Sequence, residues 1–319
     1  MDREVSRRRL IGGLGGSLVM GARPAGPAIA ANRAGTSVQL PIPPRLQWEE
    51  RGGYCGESCV QQAALTYGTY ISQFACRELV GRGQRQPFLV AMNDRRVLKS
   101  LRLGADEFAF SQYRTPQFEA YFTWTKEHLA KGHPVIITAF GKYLRDPDYD
   151  HIMLATGFEA ESVSTFSEDD VLVFNDCFTV PACRRSADSL SDDRKMRRNG
   201  RQHEFCIPTR VDFGCAITGI VDETSQLLPV SLALEGHREP NVIAGASPRP
   251  LDLTVHITDL VAGQRYALYR YDNHRNVPTR DYAESNYDSI EEFTASSATE
   301  VIRTTVQSDG IATFRCLPM

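Results

Sequence analysis

The sequence lacks several features that would place it in a simple class. It has no apolar run long enough to cross a membrane: the candidate, Leu10 to Ala22, covers about 13 residues where a helical span takes ~20. No charge of one sign dominates, since a net charge of -3 over 319 residues gives no basic footprint for nucleic acid or an anionic membrane surface. No internal repeat is evident, which argues against a solenoid or propeller. Nor is there room for a large inhibitory pro-domain, because only a short proline-rich lead-in (Gln39 to Pro44) separates the N-terminal segment from the first candidate helix. What is present, 42% apolar and 24% charged residues, is ordinary for a soluble globular protein and fits roughly two domains of ~150 residues.

The N-terminus points to a compartment. Arg3, Arg7, Arg8 and Arg9 precede the apolar run, and the small-residue stretch Pro27 to Ala31 follows it. Basic, apolar and Ala-x-Ala segments in that order make a secretory signal. Ser6-Arg7-Arg8-Arg9-Leu10-Ile11 resembles the twin-arginine export motif, with cleavage expected after Ala30 or Ala31. The expected partner is therefore the twin-arginine export machinery, with a periplasmic or secreted product and no stable membrane anchor.

Along the mature chain, the spacing of Val60, Ala63, Ala64, Leu65 and Tyr67 predicts a buried helix from Cys55 to Tyr70, between Gly52-Gly53 and Gly68. A second helix is expected over Thr115–Lys131, and strands over Pro134–Thr138, His151–Thr156 and Val171–Phe174. The charge-crowded stretch Ser186–Arg201 reads as a solvated loop. From about Ser225 the pattern changes: Leu251, Leu253, Val255 and Ile257 alternate with polar residues, as in a strand wet on one face. The expected organisation is a signal segment (1–31), a catalytic domain (32–224) and a β-sandwich-like module (225–319).

The chemistry starts from Cys55. A thiolate nucleophile needs a lowered pKa, and the unpaired N–H groups and dipole of a helix N-terminus supply one. Of the seven histidines, His151 is best placed as base, at the head of a strand. If strands 151–156 and 171–174 form an antiparallel hairpin, His151 comes to lie by Asn175 or Asp176, of which alternation allows one to face the imidazole. Asp176 is favoured because an anion also stabilises imidazolium. Among the other histidines, His133 reads as a loop residue, His256 as the wet face of its strand and His128 as a helix-end surface group.

Tyr54-Cys55-Gly56-Glu57-Ser58, Lys131-Gly132-His133-Pro134-Val135-Ile136-Ile137, Asp150-His151 through Gly157-Phe158, and Asn175-Asp176 together resemble the papain-like double-glycine-leader peptidases and their exported soluble relatives. The likeness covers roughly residues 45–180. It implies an α+β papain-like fold, a Cys55-His151-Asp176 triad, hydrolysis of peptide or amide bonds in a peptide or protein substrate, and neither cofactor nor metal. The family's oxyanion-hole glutamine usually stands about six residues before the cysteine, where this chain has Glu49. Gln47 is the nearest amide donor and takes that role in this reading.

Cys59 competes for the nucleophile's part, because classical papain relatives use the second cysteine of Cys-Gly-x-Cys-Trp; here Val60 stands in place of Trp and the spacing differs. With Cys55 set aside, seven cysteines remain for an oxidising compartment, so disulfides are expected among Cys76, Cys177, Cys183, Cys206, Cys215 and Cys316. The β-module is expected to be dispensable for bond cleavage but not for targeting or substrate capture, since no candidate catalytic residue lies beyond Asp176. Two other readings stand beside peptide hydrolysis: acyl transfer of the transglutaminase or amidase type, and a catalytically silent binding module.

Overall fold

The structure, a computed structural model, describes residues 35–48, 53–81, 88–141, 151–192 and 205–319. The export signal and Glu49 lie outside the described residues. In chain order the elements are β1 (Thr36–Gln39), α1 (Cys55–Thr66), β2 (Thr69–Ile71), α2 (Gln73–Val80), α3 (Asp94–Ser100), β3 (Leu103–Glu107), α4 (Phe118–Ala130), β4 (Val135–Gly141), β5 (His151–Ala160), β6 (Val171–Asn175), β7 (Cys183–Ser186), α5 (Ala187–Leu190), β8 (Ser191–Asp192), β9 (Phe205–Pro208) and β10 (Gly214–Ile220). A second run of strands follows: β11 (Val230–Leu234), β12 (Pro250–Ile257), β13 (Arg265–Tyr271), β14 (Ser289–Thr294), β15 (Glu300–Gln307) and β16 (Ile311–Pro318).

The expected class is overturned. Among the described residues, strand accounts for 37% and helix for 21%, in three sheets that are antiparallel apart from the short β8–β9 pair. This is a mostly β protein, not a papain-like α+β domain followed by a sandwich. The reason lies in strands too short to announce themselves. β1, β2, β3, β7 and β9 have 3 to 5 residues each, and pairing holds them in the sheet rather than any local propensity. The helix expected over 55–70 stops at Thr66 and Tyr70 belongs to β2, while the helix over 118–130 and the strands β4, β5 and β6 fall where periodicity puts them.

β5 is the spine of the largest sheet, whose order is β3-β10-β4-β5-β6-β7. Along one edge, its first half pairs with β4 and its second half with β1; β6 lies along the other edge. His151 to Phe158 are all buried, as an apolar run covered on both faces requires. Gly157 lets β1 approach: a Cβ there would stand 2.4 Å from the Val38 carbonyl oxygen.

α1 packs on this sheet and is buried from Cys55 to Leu65, so its polar side chains need internal partners. Ser58 Oγ donates to the Arg45 carbonyl at 3.1 Å. Gln62 accepts from Asn175 Nδ2 at 2.8 Å, and Gln61 Nε2 donates to Glu239 at 2.7 Å. These bonds fix the helix's rotation, which sets where Cys55 points.

The C-terminal strands form a three-stranded sheet (β11-β12-β15) facing a four-stranded one (β14-β13-β16-β2). Leu253, Val255 and Ile257 bury inward as their alternation requires. The two regions interlock. β2 pairs with β16, Leu65 and Tyr70 sit in the same core as Val255 and Phe314, and Arg315 Nη1 donates to the Tyr67 carbonyl at 3.0 Å. No helix among the described residues is long and apolar enough to cross a membrane.

Candidate active site

Gly53, at φ +63°, turns the chain into α1 through a conformation that side-chain-bearing residues avoid. Tyr54 follows and is clamped from three sides. Its N–H donates to Gln47 Oε1 at 3.1 Å, the Arg77 guanidinium lies 3.3 Å from its ring centroid, and Trp48 meets it edge-on. Arg77 also donates to the Gly53 carbonyl at 2.6 Å and to Glu57 Oε1 at 2.9 Å, so one side chain braces the turn and the first helical turn together. Gly56 is required after the cysteine, because a Cβ there would come within 2.4 Å of the Phe88 ring.

Cys55 thus opens α1, where sequence placed it. The first intrahelical bond runs from Ser58 N–H to the Tyr54 carbonyl, so the N–H groups before it lie ahead of the helical ladder. Those of Cys55 and Gly56, together with the Ile152 N–H of β5, act on the thiol and lower its pKa. Burial works the other way and wins: with the Glu57 charge as second cause, it pushes the thiol up to about 12. The expectation of a resting thiolate is therefore corrected. Cys55 is 3% exposed, and desolvation outweighs the helix terminus.

His151 stands one residue before Ile152 at the start of β5. Its Nε2 is 3.0 Å from Asp176 Oδ1, and the Phe178 N–H donates to the same oxygen at 3.1 Å. A carboxylate oxygen accepts, so Nε2 is the donor of this pair and Nδ1 is the ring nitrogen turned away from Asp176. Phe205 and Phe178 stack on the imidazole, with ring centroids 3.8 and 5.0 Å away, and hold its plane. Asn175 faces the opposite way, donating to the Ile42 carbonyl at 3.0 Å and to Gln62. Of the two neighbours, the geometry puts Asp176 against the imidazole.

Gln47 joins the two halves of the site. Its backbone N–H donates to the Cys177 carbonyl at 2.9 Å while its side chain holds Tyr54, linking the residue after Asp176 to the residue before Cys55. Phe178, Phe205 and Arg77 are contributors that sequence reasoning missed. For Phe178, closeness to Asp176 was the available signal; Phe205 and Arg77 reach the site only through the fold.

None of the eight cysteines forms a disulfide, which corrects the expectation of several. Seven are buried, and Cys59, Cys76, Cys177, Cys215 and Cys316 sit in the hydrophobic cores as small apolar groups. Cys59, whose Sγ contacts the Ile152 carbonyl at 3.7 Å, is raised well above the ordinary thiol range, first by burial. Cys177 is raised likewise. Its sulfur, a His151 nitrogen and an Asp176 oxygen all lie within 4.8 Å of one another, a mixed N, O and S donor set of the kind zinc accepts. His128 and His133 are not surface groups: a turn at Gly132 folds them together with Nδ1 atoms 3.2 Å apart, and burial pulls His133 down to about 4.

No family model matches the chain, and no curated protein matches it.

Proposed function

We propose that the chain is a thiol-dependent acyl-transfer enzyme that hydrolyses peptide or amide bonds, with Cys55 as nucleophile, His151 as base and Asp176 as orienting carboxylate. The observation that carries this is the His151 Nε2–Asp176 Oδ1 pair at 3.0 Å, next along β5 from the Ile152 N–H that acts on the Cys55 thiol. Because burial keeps the thiol protonated at neutral pH, attack is coupled to proton transfer: Sγ bonds to the carbonyl carbon as His151 Nδ1 takes its proton. Asp176 stabilises the imidazolium. The oxyanion is assigned to the Cys55 N–H and Gln47 Nε2. His151 then returns the proton to the leaving amine, and water hydrolyses the thioester.

An acceptor amine in place of water would make the same site a transglutaminase, and a non-peptide amide substrate would make it an amidase. A silent binding module is the second reading, favoured by the near-complete burial of Cys55 and His151, at 3% and 2% exposure. Export by the twin-arginine route belongs to the proposal and rests on residues 1–31, which lie outside the described residues; it is tested by where an Arg7→Lys, Arg8→Lys protein accumulates. For the chemistry, a panel of quenched peptides and amides is the test. Cleavage by the wild type that is lost in Cys55→Ser, with the melting temperature unchanged, supports the enzyme. Cleavage that survives in Cys55→Ser removes it.

A further inference from the structure

One face of α4 carries a cleft of about 380 Å³ that the proposed chemistry does not use. Its charged ends are Glu119 and Glu127, and its walls are Tyr113, Trp124 and Phe166. Between the two glutamates α4 presents the small side chains of Ala120 and Thr123 as a floor and the Trp124 ring as a wall. We infer that this cleft binds an elongated organic dication, two ammonium groups joined by an apolar stem.

The walls are preformed. Buried Phe108 backs two of them, stacking on Tyr113 at 4.7 Å and tilting against Trp124 at 5.6 Å. Phe166 is held edge-on by Phe118 and Phe122 at 5.8 and 5.9 Å. Aromatic faces so fixed attract a cation without reorganising, and also cover an alkyl stem. The charge is uncompensated. Lys126, the basic residue of α4 nearest the glutamates, turns inward to Asp170 and to the carbonyls of Ser162 and Thr165. Among the described residues no cation pairs with Glu119 or Glu127. Glu119 and Glu127 stand eight positions apart on the helix, a rise of about 12 Å between their Cα atoms. That is too far for both to ligate one metal ion and suits a ligand charged at both ends. The shared chemistry could come from a free linear polyamine or from two lysines of a peptide.

The two tryptophans supply the assay. Trp48 is buried against Tyr54, and Trp124 lines the cleft, so the two indole N–H resonances of the ¹⁵N-labelled full chain act as control and reporter. 1,8-Diaminooctane and the peptide acetyl-Lys-Gly-Gly-Lys-amide are titrated beside the neutral 1,8-octanediol. A saturable shift of Trp124 but not Trp48 by either dication, absent with the diol, supports the site, and the tighter ligand identifies the source. Glu119→Gln with Glu127→Gln, both on the surface of α4, is expected to weaken binding about tenfold, equivalent to ~1.4 kcal/mol. No saturable shift with either dication, an equal response to the diol, or unchanged affinity in the double variant would overturn the inference.

Discussion

His151 and Asp176 face each other across 3.0 Å, and the oxygen that meets the imidazole is also held by the Phe178 N–H. Asp176→Ala removes the group that sets the ring's tautomer and leaves the base in place. Activity should fall about 100-fold or more without vanishing. Asn175→Ala should act differently. It strips buried partners from Ile42 and Gln62, so unfolding stability drops by about 1–3 kcal/mol while the rate per folded molecule holds. Denaturant titration beside a rate assay separates the two; a larger rate loss in Asn175→Ala would contradict the assignment.

The interlock between regions makes the C-terminal strands part of the fold that supports Cys55. Truncation to residues 32–224 removes β16 from β2 and exposes Leu65 of α1 and Tyr70 of β2. The truncated chain is expected to lack a cooperative melt and dispersed amide resonances. A stable, folded 32–224 fragment would show that the central sheet stands alone.

Glu239 gives the protein a specific pH dependence. Burial, opposed by bonds from the Gln73 N–H and Gln61, raises its pKa from 4.5 to about 6. A raised folded-state pKa means the folded chain holds the proton more tightly than the unfolded one. This group's contribution therefore favours folding at low pH and is lost as pH rises through about 4.5 to 6, by roughly 2 kcal/mol. Glu239→Gln should flatten that part of the stability curve. Unfolding free energies at the two ends of the window check it, and an unchanged slope in the variant would contradict it.

Much of the site could be read before any fold was known. Cys55 is marked by glycines ahead of an apolar helix, and the β5–β6 hairpin follows from two apolar runs flanking a polar loop, which brings Asp176 to His151. Alternation likewise marked the inward face of β12. What stayed hidden depends on partners far along the chain. β2 is three residues long and exists because β16 pairs with it. The Cys55 thiol was expected to be depressed by its helix, but how much water reaches it is decided by the whole assembled core, and burial prevails. His128 looked like a helix-end group on the surface, and only the turn at Gly132 shows that it is covered by His133.

The central claim, that Cys55 reacts with His151 as its base, can be tested without knowing the substrate. The full chain is treated with limiting iodoacetamide at neutral pH, and mass spectrometry measures the alkylation rate of each of the eight cysteines. Cys55 should be modified first. His151→Ala should slow it by about 100-fold, since the thiol then loses the group that takes its proton. Cys59→Ser should leave the rate at Cys55 unchanged. Preferential labelling of Cys59 or Cys177, or a Cys55 rate indifferent to His151→Ala, would contradict the account.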